Sequence, residues 1–335
     1  MNDVANLRVS REGRVGRLVL DRPRALNALD LGMIRGIAEA LEGWREAPEV
    51  EAVVITGAGD RAFCAGGDIR AMREAALAGD NVAIERFFAE EYALNQGIAS
   101  YPKPYIALID GICMGGGIGV SVHGDIRVAS EHARFAMPET GIGFFPDIGA
   151  SYFLPRLPGA LGLYLALTGA ELRGADAVHA GLATHFVPRT AFPALEAALI
   201  ADGPAVVAGF ATPLPPFTLA AARATIDHCF AGASLPDIIA RLEAAETEFA
   251  GATLATLRAR SPSALAWSFE LLRRGARQTL PACLAMELAL TRRITHHPDF
   301  HEGVRAMVVD KDRAPRWQPA RLEDVDHAAI ASLFA

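Results

Sequence analysis

Two glycine clusters, each set beyond a run of strand-forming residues, constrain this chain more than anything else in it. In the first, Glu51-Ala-Val-Val-Ile-Thr56 has the apolar, β-branched character of a buried strand. It runs into Gly57-Ala-Gly59-Asp60 and then Ala62-Phe-Cys-Ala-Gly-Gly-Asp68. In the second, Pro104-Tyr-Ile-Ala-Leu-Ile109 reads the same way, Asp110-Gly111 supplies a turn, and Gly115-Gly116-Gly117 opens an apolar, helix-like segment. Consecutive glycines let backbone amides approach a ligand closely, and a helix start favours negative charge. A single cluster is explained equally well by tight backbone packing. Two clusters, each able to aim one peptide N–H at the same point, predict an oxyanion hole, in which losing one donor typically costs about 2.7–4 kcal/mol of transition-state stabilisation.

Downstream of the second cluster lie two carboxylates, Glu139 in Met137-Pro-Glu-Thr140 and Asp147 in Phe145-Pro-Asp-Ile-Gly149. Each has a plain explanation by itself. Pro-Glu suits the first turn of a helix, and Asp after Pro is an ordinary turn residue. Together, in register with two glycine clusters, they predict a reaction centre.

Ala62-Phe-Cys-Ala-Gly-Gly-Asp68, Met114-Gly-Gly-Gly117 and Met137-Pro-Glu-Thr140 resemble the hallmarks of the crotonase (enoyl-CoA hydratase/isomerase) superfamily. The resemblance covers nearly the whole chain. It implies an α/β fold with a spiral core of ββα units and a helical C-terminal region, an acyl-CoA substrate, and a thioester oxygen held by the N–H groups of Gly67 and Gly116. Hydratases of the family use two glutamates, and here the position of the first is Gly119. Asp147 stands where hydratases usually carry glycine. With Tyr152-Phe-Leu-Pro-Arg156 and Asp299-Phe-His-Glu-Gly-Val-Arg305, this pattern resembles the branch of thioesterases that cleaves a hydroxyacyl-CoA in valine breakdown.

By the same resemblance Glu139 acts as general base or nucleophile, assisted by Asp147, and substrate is bound by Glu91, Gly116, Glu139 and Asp147. The CoA moiety falls to Arg24, Ala25, Leu26, Ala65, Gly66, Asp68, Ile69 and Lys311. Read without the family, Arg24 is a solvated surface charge, and Glu91 belongs to an acidic face (Glu90, Glu91) of an amphipathic helix over 81–100. No metal and no separate cofactor are expected, CoA being part of the substrate. The family also implies a homo-oligomer, a trimer or hexamer. Competing readings are a double-bond isomerase or hydratase of the same family and a catalytically silent acyl-CoA-binding or RNA-binding relative. Gly119 opposes the hydratase, and the retained Glu139 with the acidic balance opposes the silent relative.

Other chemistries fit poorly. A serine hydrolase needs G-x-S-x-G, and Gly119-Val-Ser-Val-His123 lacks the second glycine. Gly57-Ala-Gly-Asp-Arg-Ala62 has dinucleotide-fingerprint spacing, but Phe63 to Gly67 breaks the helix that should follow. His297 and His301 are four apart, yet Pro298 lies between them, so a capping role is expected rather than a metal pair.

The remaining letters set the frame. With 335 residues, 51% apolar and 21% charged, the chain can bury a large core and is not expected to be disordered. A net charge of −7 argues against nucleic-acid or anionic-membrane binding. Cys64, Cys113, Cys229 and Cys283 lie far apart, which predicts buried free thiols in a reducing compartment. The first residues lack the apolar core of a secretory signal, and Asp3 and Glu12 suit a transit peptide poorly, so a cytosolic protein is expected. A strand is predicted at Val15–Leu20 and an Asp30-capped helix after it. The proline-rich stretch 204–216 predicts a boundary between a core over 1–203 and a helical region over 204–335, with helices at 218–230, 235–259, 263–276 and 281–295.

Overall fold

The computed structural model describes residues 5–334; Asp3, read above as unsuited to a transit peptide, lies outside them. The chain forms two compact units. The first comprises the residues up to Asp68, Glu90–Phe135 and Leu172–Thr218; the second comprises Ile69–Ala89, Ala136–Glu171 and the residues from Leu219 on.

The first unit holds the strands. In chain order they are β1 (Leu7–Glu12), β2 (Val15–Leu20), β3 (Ala52–Gly57), β4 (Ala62–Cys64), β5 (Tyr105–Ile109), β6 (Ile112–Met114), β7 (Ile126–Ala129), β8 (Arg134–Ala136), β9 (Leu172–Arg173) and β10 (His185–Phe186). Six form one sheet in the order β1-β2-β3-β5-β7-β10, and four form another in the order β4-β6-β8-β9. The pairs β3/β4, β5/β6 and β7/β8 each send their first strand to the large sheet and their second to the small one, the repetition expected of ββα units. Apart from the antiparallel β1–β2 hairpin, the large sheet is parallel. That explains why β5 reads as a continuous apolar run: all five of its residues are buried. One face packs Val54, Ile106, Leu108 and Val128 against Leu195 and Leu199 of the helix Phe192–Asp202.

Local signals placed the elements well. The helix Leu31–Arg45 begins where Asp30 accepts a hydrogen bond from Met33 N–H at 2.9 Å. Asn81–Ala99 is a single helix. Gly57 is followed by strand β4 and not by a helix, which removes the dinucleotide fingerprint. Two expectations change. The helix expected over 235–259 is two, Leu235–Ala244 and Glu248–Arg258, because Glu246 turns left-handed (φ 48°) and Thr247 caps the second helix through Ala250 N–H. The helix expected from 218 starts at Arg223.

The second unit is helical. Pro262–Gly275 runs through it almost entirely buried, with Trp267 among the largest fully buried side chains. Gly275 is obligatory there, since a Cβ would lie 2.7 Å from Ser151 Cβ.

Candidate active site

In the first unit the glycines are delivered by β4 and β6, which pair in parallel, Ala62 with Ile112 and Cys64 with Cys113. This corrects the assignment of that role to the longer apolar runs, β3 and β5. Three-residue strands are too short to show a two-residue period in sequence. The glycine turns then meet. A Cβ on Gly116 would lie 3.1 Å from Gly67 N, and a Cβ on Gly66 would lie 3.6 Å from Gly116 N. Within Gly115–Gly117 the two explanations of a glycine run divide by position. A Cβ on Gly117 would strike the carbonyl of Cys64, which is backbone packing, whereas one on Gly116 would strike Glu91 Oε1.

Glu91 is therefore separated from its acidic neighbour. Glu90 makes a bidentate pair with Arg35 at 2.6 and 2.7 Å, while Glu91 is 2% exposed and faces Gly116. The Cys64 thiol is pushed up to about 12, first by burial, with a hydrogen bond at Gly66 opposing and the charge on Glu91 adding to the rise. Burial likewise pushes the Cys113 thiol well up. Neither thiol is a nucleophile near neutral pH, and all four cysteines are free and buried, as their spacing predicted.

Of the expected CoA-contact residues, Arg24, Ala25, Leu26, Ala65, Gly66 and Asp68 belong to one loop system. Leu26 and Asn27 are both left-handed, at φ 54° and 56°. Ala65 N–H donates to Leu26 O at 3.0 Å, Leu29 N–H to Gly66 O at 2.8 Å, and Asp68 N–H to Leu29 O at 2.9 Å. Asp68 pairs with Arg22 at 2.8 Å. Arg24 is exposed beside half-buried Ala25. Asn27, which sequence reasoning missed, pins this loop: fully buried, it donates to Ala58 O and Ala62 O at 2.9 and 2.8 Å and accepts from Arg22 N–H at 2.9 Å. Its signal was available, since asparagine is a side chain that tolerates the left-handed region.

The second unit supplies the carboxylates. Glu139 opens a short 3-10 helix, Glu139–Ile142, which is fixed from several sides. Ser261 N–H donates to Thr140 O at 3.2 Å, and Thr140 Oγ1–H to Leu167 O at 3.1 Å. A Cβ on Gly303 would lie 2.6 Å from Ile142 Cα, and Arg260 lies over Gly141. Glu139 and Asp147 are each 6% exposed. Burial first, and then the charge on Asp147, raises the proton affinity of Glu139 well above the ordinary glutamate range, against the opposing effect of its own backbone N–H. No polar partner reaches Glu139 Oε2 among the described residues. Ile69 opens the helix Ile69–Ala78 of this unit, and Lys311 is exposed on a left-handed turn (φ 58°).

The histidine pair behaves as expected of a cap. His297 precedes the helix Pro298–Val304 and accepts from Asp299 N–H at 3.1 Å. Among the described residues no group of three His, Cys, Asp or Glu side chains could hold a metal ion, and no helix is long and apolar enough to cross a membrane.

The sequence profile of the enoyl-CoA hydratase/isomerase family matches residues 15–334. A 3-hydroxyisobutyryl-CoA hydrolase, mitochondrial, of Xenopus tropicalis is 48% identical over 97% of this chain and 88% of its own length. The protein of that name in Homo sapiens is 44% identical over 97% and 87%. Among solved structures, a carnitinyl-CoA dehydratase from Mycobacterium thermoresistibile superposes with TM-score 0.95 at 44% identity, covering 99% of this chain and 96% of that one. An enoyl-CoA hydratase from Rhodobacter sphaeroides 2.4.1 gives 0.92 at 42%, covering 99% and 97%. These matches bear out the crotonase-type α/β fold. They also overturn the cytosolic placement, because the curated relatives are named mitochondrial. A targeting segment is read and removed separately from the fold, so the acidity of a few N-terminal residues carried little information about compartment.

Proposed function

The chain belongs to the enoyl-CoA hydratase/isomerase family, and from that premise we propose that it hydrolyses acyl-CoA thioesters, 3-hydroxyisobutyryl-CoA foremost, to the free acid and CoA, a step of valine breakdown. The observation that carries this is the pairing of Glu139 with Asp147, both buried, one raising the proton affinity of the other. Where a hydratase of the family has its first glutamate, this chain has the buried Gly119, inside the helix Gly116–Val122. The names of the dehydratase and hydratase structures therefore do not transfer to it.

In this mechanism the N–H groups of Gly67 and Gly116 accept the negative charge that develops on the thioester oxygen. Glu139 takes a proton from water as the water oxygen bonds to the carbonyl carbon. The tetrahedral intermediate then expels the CoA thiolate, which recovers that proton. Alternatively Glu139 attacks first, releasing CoA thiolate and leaving a mixed anhydride that water opens. A carboxylate with raised proton affinity is the stronger base, as a general base working near neutrality requires. A thiolate is a good leaving group, so no separate strong acid is needed. Asp147 orients the water or the substrate hydroxyl. Glu91, buried against Gly116, accepts a hydrogen bond from the hydroxyl of the acyl chain.

The deciding experiment is release of free thiol from 3-hydroxyisobutyryl-CoA beside hydration of crotonyl-CoA, with wild type and Glu139→Gln. Thiol release that disappears in the variant, with negligible hydration, supports hydrolysis through Glu139. Hydration or double-bond migration without thiol release returns the chain to the isomerase branch. Labelled oxygen appearing in Glu139 during one turnover would select the anhydride route.

A further inference from the structure

Asp147 sits on an unusual piece of backbone. The two residues after it, Ile148 and Gly149, are both left-handed, at φ 56° and 85°. Glycine adopts that conformation freely, but a β-branched residue does so only when its surroundings impose it. Ile148 is also fully buried, so no solvent-facing accommodation relieves it. Something in the second unit must hold this turn.

The group that does so comes from far along the chain. Glu287, on the helix Leu280–Ile294, is 0% exposed. Its Oε2 accepts from Gly149 N–H at 2.7 Å. Its Oε1 accepts from Ser151 N–H at 3.0 Å and from the Ser151 hydroxyl at 2.5 Å. Three donors from the residues just beyond Asp147 thus converge on one buried carboxyl. A buried acid is costly unless fully hydrogen-bonded, and an apolar side chain of similar volume would pack the same space at less cost. Space-filling therefore does not explain an acid here, whereas fixing the path of the Asp147 turn does.

We propose that Glu287 is a positioning residue for the hydrolysis: by gathering the Gly149 and Ser151 donors it fixes the turn that carries Asp147. The carboxyl also lies in the field of that residue. Burial, set against the hydrogen bonds from Ser151 and Gly149, pushes Glu287 up to about 8, and the charge on Asp147 contributes in the same direction. Ala150 N–H donates to Asp147 O at 2.9 Å, so the held turn and the Asp147 peptide are one hydrogen-bonded unit.

This inference rests on the thioester-hydrolase function proposed above, and a double-mutant cycle separates the two. Glu287→Gln keeps volume but turns one acceptor into a donor facing N–H groups. Its expected effect is a roughly 10- to 100-fold fall in kcat for thiol release with KM within about threefold, the size of loss a small misplacement of a catalytic group produces. In an Asp147→Asn background the same substitution is expected to cost less than about threefold, because the residue it positions is already disabled. Ser151→Ala, which removes one of the three donors and leaves both backbone N–H groups, gives a smaller loss with the same non-additivity. It carries the cycle if Glu287→Gln does not fold. Equal losses in both backgrounds, or a lowered Tm with unchanged kcat, overturn the positioning role while leaving the hydrolase intact. A wild type that releases no thiol overturns both.

Discussion

Asp147 raises the proton affinity of Glu139. Both carboxylates are 6% exposed, and after burial itself the charge on Asp147 is the strongest influence favouring the protonated form of Glu139. An acid that must be ionised to act as base or nucleophile works only above its folded pKa, so the acid limb of the pH–kcat/KM profile lies above the ordinary glutamate range. Asp147→Asn removes the charge and leaves the burial. Its acid limb should move to lower pH, alongside a loss in kcat from whatever Asp147 does directly. An acid limb that stays in place would show that the two groups are not electrostatically coupled in the working enzyme.

The proposed oxyanion donors lend themselves to a single-atom test. A Cβ on Gly116 has no room, since it would strike Glu91 Oε1 and lie 3.1 Å from Gly67 N. Gly116→Ala keeps its own N–H but crowds the Gly67 N–H, and kcat should fall about 100- to 1,000-fold, as when one oxyanion donor is lost. Circular dichroism and Tm should stay near wild type, because the atom that must move furthest is the end of the Glu91 side chain, while the Gly67 backbone N at 3.1 Å has to give only slightly. A kcat within tenfold of wild type would place the oxyanion donors elsewhere.

Substrate choice is carried by Glu91 in the proposed mechanism. A site built to hydrogen-bond a hydroxyl rejects the analogue that lacks it, because its polar group is left without that partner on binding. Glu91→Gln weakens the acceptor and removes the charge. The expected result is a fall in kcat/KM for 3-hydroxyisobutyryl-CoA of about 10-fold or more, with a much smaller change for isobutyryl-CoA. Equal losses on both substrates would reduce Glu91 to a structural group behind Gly116.

The candidate reaction centre was more legible in the sequence than the structure that supports it. The glycine clusters, Glu139 and Asp147 stand in short motifs whose residue types suit the chemistry proposed for them, and such patterns are legible without any knowledge of contacts. The strands β4 and β6 were missed because three residues carry no period, and the split between Leu235–Ala244 and Glu248–Arg258 was missed because Glu246, a residue at home in helices, adopts a left-handed conformation. Glu287 was invisible for a different reason. It lies 136 and 138 residues from Ser151 and Gly149, in a helix whose pattern is otherwise ordinary, and only the fold brings the acceptor to its donors.

The burial that tunes Glu139 also has a cost in stability, and its sign can be worked out. The folded-state pKa is raised above the ordinary value of 4.5, so between that value and the folded pKa the native state binds more protons than the unfolded chain. Stability then falls with rising pH: the contribution is fully present below about 4.5 and is lost as pH rises through the folded pKa. Gln at this position is neutral at every pH and is spared that loss. Glu139→Gln should therefore be inactive in thiol release, by about 100-fold or more, yet melt higher than wild type at neutral and alkaline pH. The difference in Tm should shrink as pH is lowered towards 4.5. Thermal melts of both proteins across that range test it directly. A Tm difference that does not vary with pH would mean that Glu139 is not held protonated by its surroundings.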